Sequence, residues 1–320
     1  MNIVALDGYT LNPGDNPWDE VERLGNLIVY ERTDQEHILE RSGEADIIVT
    51  NKAPLFAETL NKLTRLRFIS VTATGYNIVD TLTARQKGIP VSNVPEYGTD
   101  SVAQFSFALL LELCHHVGVH SDSVKAGDWS QSKDWCFWKT PQVLLAGKRM
   151  GIVGFGRIGR RVGELAHAFG MEVMAHDLEQ RDPPAYSPFF WKTREDLFAE
   201  ADVISLHCAL TDENAGFVNH DLLGLMKKEA FFINAARGGL INERDLARAL
   251  NEGMIAGAGL DVVSVEPIES VNPLLSARNC IITPHIAWAT TAARRKLMAS
   301  TAENIRAFME GKPINVVNGL

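Results

Sequence analysis

One segment in the middle of the chain constrains the fold more than any other. Residues 150–153 form an apolar run typical of a buried strand, and the run ends in Gly154-Phe-Gly156-Arg-Ile-Gly159. A helical pattern of apolar residues follows, and then a second strand that leads to Asp177, 18 residues beyond Gly159. This order of strand, glycine turn, helix, strand and acid predicts a dinucleotide-binding βαβ unit.

Each position in this segment has a physical role. Gly154 permits a tight turn, Gly156 lets a pyrophosphate approach the backbone, and Gly159 lets the helix pack closely on the strand. Asp177 can accept hydrogen bonds from both ribose hydroxyls and would repel a 2′-phosphate, which favours NAD over NADP. The alternative is a glycine turn with no cofactor. The predicted cofactor-binding residues of this segment are Gly154, Phe155, Gly156, Arg157, Ile158, Gly159 and Asp177.

Composition narrows the classes of protein and partner. The 320 residues are 46% hydrophobic and 22% charged, which predicts a globular protein of two domains. A net charge of −9 argues against nucleic acid or an anionic membrane as a partner. No apolar run is long enough to span a membrane, and the first residues resemble a strand rather than a cleavable signal. The four cysteines lack metal-binding spacing, so we expect no metal site and a cytoplasmic location.

Strands and helices alternate in both parts of the chain, which predicts an α/β protein with two doubly wound parallel sheets. The predicted strands of the first part are Ile3–Leu6, Leu27–Tyr30, Ile47–Thr50, Phe68–Val71 and Val91–Asn93. Those of the second part are Met150–Val153, Glu172–His176, Val203–Leu206, Phe231–Asn234, Ala256–Leu260 and Cys280–Thr283. The predicted helices include 54–63, 79–87, 101–116 and 290–311. Residues 121–145, which contain three tryptophans, are predicted to be irregular.

Three candidate catalytic residues follow strands of the second part, where ligands bind in such folds. Arg237 can hold a carboxylate through two parallel hydrogen bonds. His285 suits proton exchange near neutral pH, and a carboxylate such as Glu266 would stabilise its imidazolium form and fix its tautomer. Taken singly, these residues could be a surface ion pair, a core histidine and a solvated loop charge. Together they indicate an acid–base pair and a carboxylate clamp on one rim of a cofactor-binding sheet.

Nearly the whole chain resembles the D-2-hydroxyacid dehydrogenase family. The similar segments are GFGRIGRRVGELAHAFGMEVMAHD, INAARGGLINERDLARAL, GAGLDVVSVEP and TPHIAWAT. The resemblance implies that Arg237, Glu266 and His285 are catalytic. It also implies an NAD-binding Rossmann domain, residues 99–289, inserted into a flavodoxin-like substrate domain formed by residues 1–98 and 290–320. The active site is then expected in the cleft between the two domains.

The resemblance extends to further binding residues. Backbone amides near Thr74 and Gly75 would bind the substrate carboxylate, although Ala73 and Asn77 stand where many members have Gly and Asp. The alternative for this segment is a plain βα turn. The resemblance places His207 in the wall of the cofactor site and Asp261 against the nicotinamide carboxamide. Ala235 is counted with the cofactor-binding residues.

The substrate is suggested by the segment Asp134-Trp-Cys-Phe-Trp138 together with His285-Ile-Ala-Trp288, which resembles the glycerate dehydrogenase and hydroxypyruvate reductase branch. Trp138 and Trp288 could narrow the pocket to a small acid, or they could lie in the core or at a dimer interface. We therefore expect a homodimer that reduces hydroxypyruvate or glyoxylate to D-glycerate or glycolate by hydride transfer from NADH. The alternatives are another small 2-keto acid, another hydride donor such as formate or phosphite, and a non-enzymatic NAD sensor resembling the corepressors of this fold.

Overall fold

The computed structural model describes residues 1–320 and divides into two compact units. Unit 1 comprises Met1–Gly98 and Ala289–Leu320, and unit 2 comprises Thr99–Trp288. Each unit is built on its own parallel sheet with helices packed against it. The prediction of an α/β protein with two parallel sheets is confirmed.

Unit 1 contains a five-stranded parallel sheet with the order β2-β1-β3-β4-β5, which is the flavodoxin-like order. Its strands are β1 (Asn2–Ala5), β2 (Asn26–Val29), β3 (Ile47–Thr50), β4 (Phe68–Val71) and β5 (Val91–Ser92). All five were predicted, with ends that differ by at most one residue. The central strands β3 and β4 are buried throughout, as expected of strands covered on both faces.

The helices of unit 1 are short except for the last one in the chain. Numbered in chain order, they are α1 (Asp19–Glu22), α2 (Ile38–Ser42), α3 (Ala57–Lys62), α4 (Thr81–Gln86) and α11 (Thr291–Met309). Helix α4 begins after Asp80, whose carboxylate accepts a hydrogen bond from the Thr83 amide. Helix α11 packs on the sheet, with the ring of Phe308 stacked on that of Phe68 at 4.5 Å.

Unit 2 contains a seven-stranded parallel sheet with the order β12-β11-β10-β9-β6-β7-β8. Its strands are β6 (Arg149–Val153), β7 (Glu172–His176), β8 (Phe189–Trp191), β9 (Val203–Leu206), β10 (Phe231–Asn234), β11 (Gly257–Leu260) and β12 (Cys280–Ile282). The strand order reverses at β6 and β9, and doubly wound sheets bind dinucleotides at such a reversal. Six of the seven strands were predicted.

Strand β8 was missed because it is three residues long and follows a proline-rich loop. Its aromatic side chains hold it in place. The ring of Phe189 contacts those of Phe155 and Trp191, with both pairs of centroids 5.1 Å apart. This contact joins the edge of the sheet to the glycine turn, so tertiary packing rather than local pattern specifies the strand.

The remaining helices belong to unit 2. They are α5 (Thr99–His115), α6 (Val117–Lys125), α7 (Arg157–Ala168), α8 (Arg194–Glu200), α9 (His220–Gly224) and α10 (Glu243–Asn251). The predicted irregular segment 121–145 is wrong at its start, because α6 continues to Lys125. Helix α6 follows His116, which adopts a left-handed backbone conformation with φ of 45° and turns the chain. No single helix is long and apolar enough to span a membrane. Helices α5 and α6 together have that length and apolarity, but they are bent by 55° relative to each other.

Candidate active site

The glycine turn after β6 has the space and conformation that a dinucleotide requires. Gly154 has φ of +90°, and a Cβ there would lie 2.5 Å from the backbone nitrogen of Cys208. A Cβ on Gly159 would lie 2.1 Å from the carbonyl oxygen of Gly154, so helix α7 packs tightly on the turn. A Cβ on Gly156, by contrast, would meet no other part of the protein within 4 Å. The open backbone at Gly156, directly before α7, fits a pyrophosphate at a helix N-terminus.

Asp177 lies one residue beyond the end of β7 and is tied to this turn. Its Oδ2 accepts a hydrogen bond of 2.6 Å from the amide of Phe155. Each carboxylate oxygen can accept more than one hydrogen bond, so Asp177 retains acceptor capacity for ribose hydroxyls. The bond to Phe155 was not anticipated from the sequence. It fixes the carboxylate beside the fingerprint turn.

His207 follows β9 and is half-buried. Its Nε2 lies 2.8 Å from Ser205 Oγ, while its Nδ1 is inaccessible to solvent and has no hydrogen-bond partner. Burial lowers the pKa of His207 to about 3. The carbonyl carbon of His207 lies 2.7 Å from the position of a Cβ built on Gly154, so this segment closes one side of the glycine turn.

Arg237 projects from a turn that the side chain of Asn234 organises. Asn234 ends β10, is fully buried, accepts a 2.9 Å hydrogen bond from the Ala236 amide and donates one of 2.9 Å to the Arg237 carbonyl. The Arg237 guanidinium donates to the Ala236 carbonyl through Nη1 at 2.6 Å. Since a guanidinium carries five N–H donors, others remain for a carboxylate. Ala235 lies half-buried in the same turn.

His285 and Glu266 lie in direct contact, and their role as an acid–base pair stays a prediction. His285 Nδ1 lies 2.7 Å from Glu266 Oε2, and the two side chains are 27% and 30% exposed. The other carboxylate oxygen accepts a 3.3 Å hydrogen bond from the Val263 amide. Because the carboxylate accepts from Nδ1, it leaves Nε2 to exchange a proton with a substrate.

The backbone of His285 is strained, with φ of 56° in the left-handed region. Asp261 holds the turn in this conformation. It is 1% exposed, and its carboxylate accepts hydrogen bonds from Thr283 Oγ1 at 2.6 Å, the Ile286 amide at 2.9 Å and the Ala287 amide at 2.7 Å. Its carbonyl oxygen also accepts from the His285 amide at 2.8 Å. Asp261 therefore supports the backbone on both sides of His285.

Burial raises the pKa of Asp261, while the hydrogen bonds from Thr283, Ala287 and Ile286 favour its charged form. The sequence analysis missed this supporting role. The signal was an acid directly after β11, because Leu260 at the end of β11 pairs with Ile282, which comes one residue before the Thr283-Pro-His285 turn.

Trp288 and Trp138 have different surroundings. The indole N–H of Trp288 donates to the His285 carbonyl at 3.0 Å, so this side chain belongs to the acid–base turn. Trp138 is 69% exposed and lies in the irregular part of the segment after α6. Of these two tryptophans, Trp288 is the one hydrogen-bonded to the predicted catalytic histidine.

The predicted substrate loop lies in unit 1, after β4. The hydroxyl of Thr74 donates to the Val94 carbonyl at 3.0 Å, and the Asn93 side chain donates to the Thr74 carbonyl at 2.7 Å. These bonds attach the loop to the chain that follows β5. Thr74 is exposed and Gly75 is half-buried at the carboxyl end of the sheet.

Comparisons with known proteins agree with this arrangement. Residues 107–287 match the family described as "D-isomer specific 2-hydroxyacid dehydrogenase, NAD binding domain". The chain belongs to this family. A hydroxypyruvate reductase from Blautia hydrogenotrophica is 50% identical over 99% of this chain and 100% of its own length. A glycerate dehydrogenase from Methylorubrum extorquens is 38% identical over 90% of each chain.

A solved structure shares the fold of this 2-hydroxyacid dehydrogenase family member. The D-lactate dehydrogenase from Aquifex aeolicus, complexed with NAD and lactic acid, superposes with a TM-score of 0.84 at 28% identity, covering 97% of this chain and 96% of its own. The protein is therefore an NAD-binding oxidoreductase, and the predictions of family, enzyme class and cofactor are confirmed. The roles of individual site residues stay predictions.

Proposed function

We propose that this 2-hydroxyacid dehydrogenase reduces hydroxypyruvate and glyoxylate to D-glycerate and glycolate. The observation that carries the proposal is the 2.7 Å pair of His285 and Glu266 on the sheet that also carries the fingerprint turn. The hydroxypyruvate reductase that is 50% identical over nearly the full chain supports this choice of substrate. When bound, NADH supplies the hydride that reduces C2 of the keto acid.

Residues of the chain donate the proton and orient the substrate. His285 donates a proton from Nε2 to the carbonyl oxygen as C2 is reduced, and Glu266 stabilises the imidazolium before transfer. Arg237 holds the substrate carboxylate with its remaining N–H groups. In unit 1, the backbone amides at Thr74 and Gly75 are the proposed carboxylate-binding groups. Asp261 keeps the His285 turn in place through its hydrogen bonds.

The cofactor is proposed to be NAD rather than NADP. Asp177 places a carboxylate beside the glycine turn, where it would repel a 2′-phosphate. The nearby Arg160 is directed elsewhere, since its Nη1 and Nη2 donate to the carbonyls of Asp182 and Arg181 at 2.6 Å and 3.0 Å. Arg160 also stacks over the Phe155 ring at 5.0 Å, which fixes its position.

We also propose a cytoplasmic homodimer. The segment from α6 to residue 145 exposes large apolar side chains, and exposed apolar patches mark interfaces. Among them are Val117 (62% exposed), Trp135 (86%), Trp138 (69%) and Leu144 (75%). If this surface pairs with a second copy, Trp138 can reach the substrate site of the partner. All four cysteines are free, as in proteins of a reducing compartment.

A substrate comparison tests the proposal. The measurement is kcat/KM at fixed NADH for hydroxypyruvate, glyoxylate, pyruvate and 2-ketoisocaproate. We expect hydroxypyruvate to be best and 2-ketoisocaproate worst, because Trp288 restricts the space beside His285. A preference for 2-ketoisocaproate would contradict the small pocket, and the absence of turnover with every acid would favour a non-enzymatic NAD sensor.

A further inference from the structure

We propose that Asn304, on α11, is a positioning residue for the predicted carboxylate-binding loop after β4. It acts through Asn93, whose side chain is bonded to that loop, and it is held in turn by Asn315 near the end of the chain. This inference rests on the proposed function, in which the amides at Thr74 and Gly75 bind the substrate carboxylate. All of these residues belong to unit 1.

The carboxylate-binding loop is oriented through its carbonyl groups. The Ala73 carbonyl accepts a hydrogen bond from the Val94 amide at 3.0 Å, and the Thr74 carbonyl accepts one from Asn93 Nδ2 at 2.7 Å. In a planar trans peptide, the carbonyl and the following N–H point in opposite directions. The two bonds therefore turn the amides of Thr74 and Gly75 away from the chain that follows β5. Neither amide donates to another group of the protein, so both can bind an anion.

Asn304 supports both of these bonds at once. It is fully buried, and its Nδ2 donates to the Asn93 carbonyl at 2.9 Å. The Asn93 carbonyl and the Val94 amide belong to one planar peptide, so fixing the carbonyl also fixes the amide. The bond from Asn304 therefore orients the donor to the Ala73 carbonyl. It also holds the residue whose side chain donates to the Thr74 carbonyl.

The position of Asn304 requires a side-chain amide. A carbonyl oxygen can only accept, so the atom of Asn304 that faces the Asn93 carbonyl must be Nδ2. Its Oδ1 then accepts from Asn315 Nδ2 at 2.8 Å. Asn315 also contacts Asn93 directly, because its carbonyl accepts from the Asn93 amide at 3.1 Å. One donor and one acceptor are thus both used at Asn304, a combination that neither a carboxylate nor an apolar side chain supplies.

A second buried asparagine provides a matched control. The side chain of Asn318 accepts from the Val91 amide at 3.0 Å and donates to the Ile89 carbonyl at 2.8 Å. Like Asn304, it makes two hydrogen bonds that join the last part of the chain to the region of β5. Its bonds lie at the amino end of β5, however, and do not lead to Thr74.

The test measures kcat and KM of the whole enzyme in Asn304→Ala and Asn318→Ala. Loss of one supporting hydrogen bond should raise the KM for hydroxypyruvate about threefold to tenfold in Asn304→Ala. The KM for glyoxylate should rise by the same factor, because both acids carry the carboxylate. The value of kcat should change little, since the carboxylate is bound equally before and during hydride transfer. Asn318→Ala should lose a comparable free energy of unfolding in urea and keep the wild-type KM.

A milder variant tests the same chain of bonds without opening a cavity. Asn315 is exposed and has φ of 54°, a conformation that glycine adopts readily. Asn315→Gly should therefore keep the fold and raise the KM for both acids by less than Asn304→Ala does. The double variant should have the same KM as Asn304→Ala, because the Asn315 side chain acts through Asn304.

The outcomes separate this inference from the proposed function. If the wild-type enzyme reduces neither acid, the proposed function fails. If it reduces them, but neither Asn304→Ala nor Asn315→Gly raises the KM for the acids, the inference alone is overturned. An equal rise of KM in Asn318→Ala would overturn it as well, because general loss of stability would then explain the effect.

Discussion

Two histidines lie after strands of the same sheet, and their surroundings differ in kind. His207, after β9, faces only the Ser205 hydroxyl at 2.8 Å, and its other ring nitrogen is buried without a partner. His285, after β12, faces the Glu266 carboxylate at 2.7 Å and remains 27% exposed. His207 therefore lacks a charged partner, whereas His285 has one.

A histidine at the carboxyl end of the strands of a doubly wound sheet is therefore not catalytic by its position alone. Without a nearby carboxylate, burial disfavours the charged imidazolium, and the pKa of His207 is lowered to about 3. Such a ring cannot donate a proton near neutral pH, although it can fill space beside a cofactor. The turn that carries His285 instead combines an acid partner, partial exposure and a backbone supported by Asp261.

The largest effect on turnover is expected from replacing His285. His285→Ala should lower kcat for hydroxypyruvate reduction by about 10²–10⁴-fold, the usual cost of removing a positioned general acid. NADH binding, followed by cofactor fluorescence, should stay nearly intact, because the fingerprint turn is unchanged.

The matched variant is His207→Asn, which alters the other histidine of the same sheet edge. Its effect should fall mainly on the KM for NADH. The assignment of roles would be reversed if His285→Ala kept a near-normal kcat while His207→Asn lost it.

A smaller effect is expected at the cofactor side, near His207. Asp177→Ala removes the carboxylate that would bind ribose hydroxyls and repel a 2′-phosphate. The ratio of kcat/KM for NADH to that for NADPH should fall by roughly tenfold, the scale of a hydrogen bond to a charged group. Parallel assays with the two cofactors measure it. Equal kcat/KM values for NADH and NADPH in the wild-type enzyme would contradict the role given to Asp177.

The smallest effect concerns the stability of the folded chain in acid. In the unfolded chain His207 takes up a proton near its ordinary pKa of 6.5, but in the folded chain only near 3. The free energy of unfolding should therefore fall as pH drops from about 6.5 towards 3. In His207→Asn this contribution is absent, so urea unfolding at pH 7.5 and pH 5 should show a smaller drop than in wild type. Equal drops would show that His207 is not held neutral by the fold.

Much of this architecture could be predicted from sequence because local patterns specify it. Buried strands such as Ile47–Thr50 and Phe231–Asn234 are continuous apolar runs, and the glycine turn has its own spacing. The residue types of Arg237, Glu266 and His285 also identify their chemistry. Strand β8 depends on the packing of aromatic rings. Helix α6 follows a residue in the left-handed conformation. No short sequence pattern encodes either feature.

The support of the site was harder to predict than its reactive groups. The carboxylate of Asp261 holds the turn around His285, whose φ of 56° requires such support. Its expected contact with the nicotinamide stays a prediction. Asn234 likewise holds the turn of Arg237 from a fully buried position. These bonds join residues that a helix or strand pattern does not relate, so they emerge only from the folded chain.

The central claim is that Glu266 positions His285 to donate a proton to the substrate. The most direct test is kcat for hydroxypyruvate reduction in the wild type, Glu266→Ala and Glu266→Gln. Glu266→Ala removes the acceptor of the 2.7 Å hydrogen bond from His285 Nδ1, so kcat should fall by about tenfold or more, the scale of a hydrogen bond to a charged group. Glu266→Gln keeps an acceptor oxygen at this position and should lose less. An unchanged kcat in Glu266→Ala would contradict the pairing of Glu266 with His285.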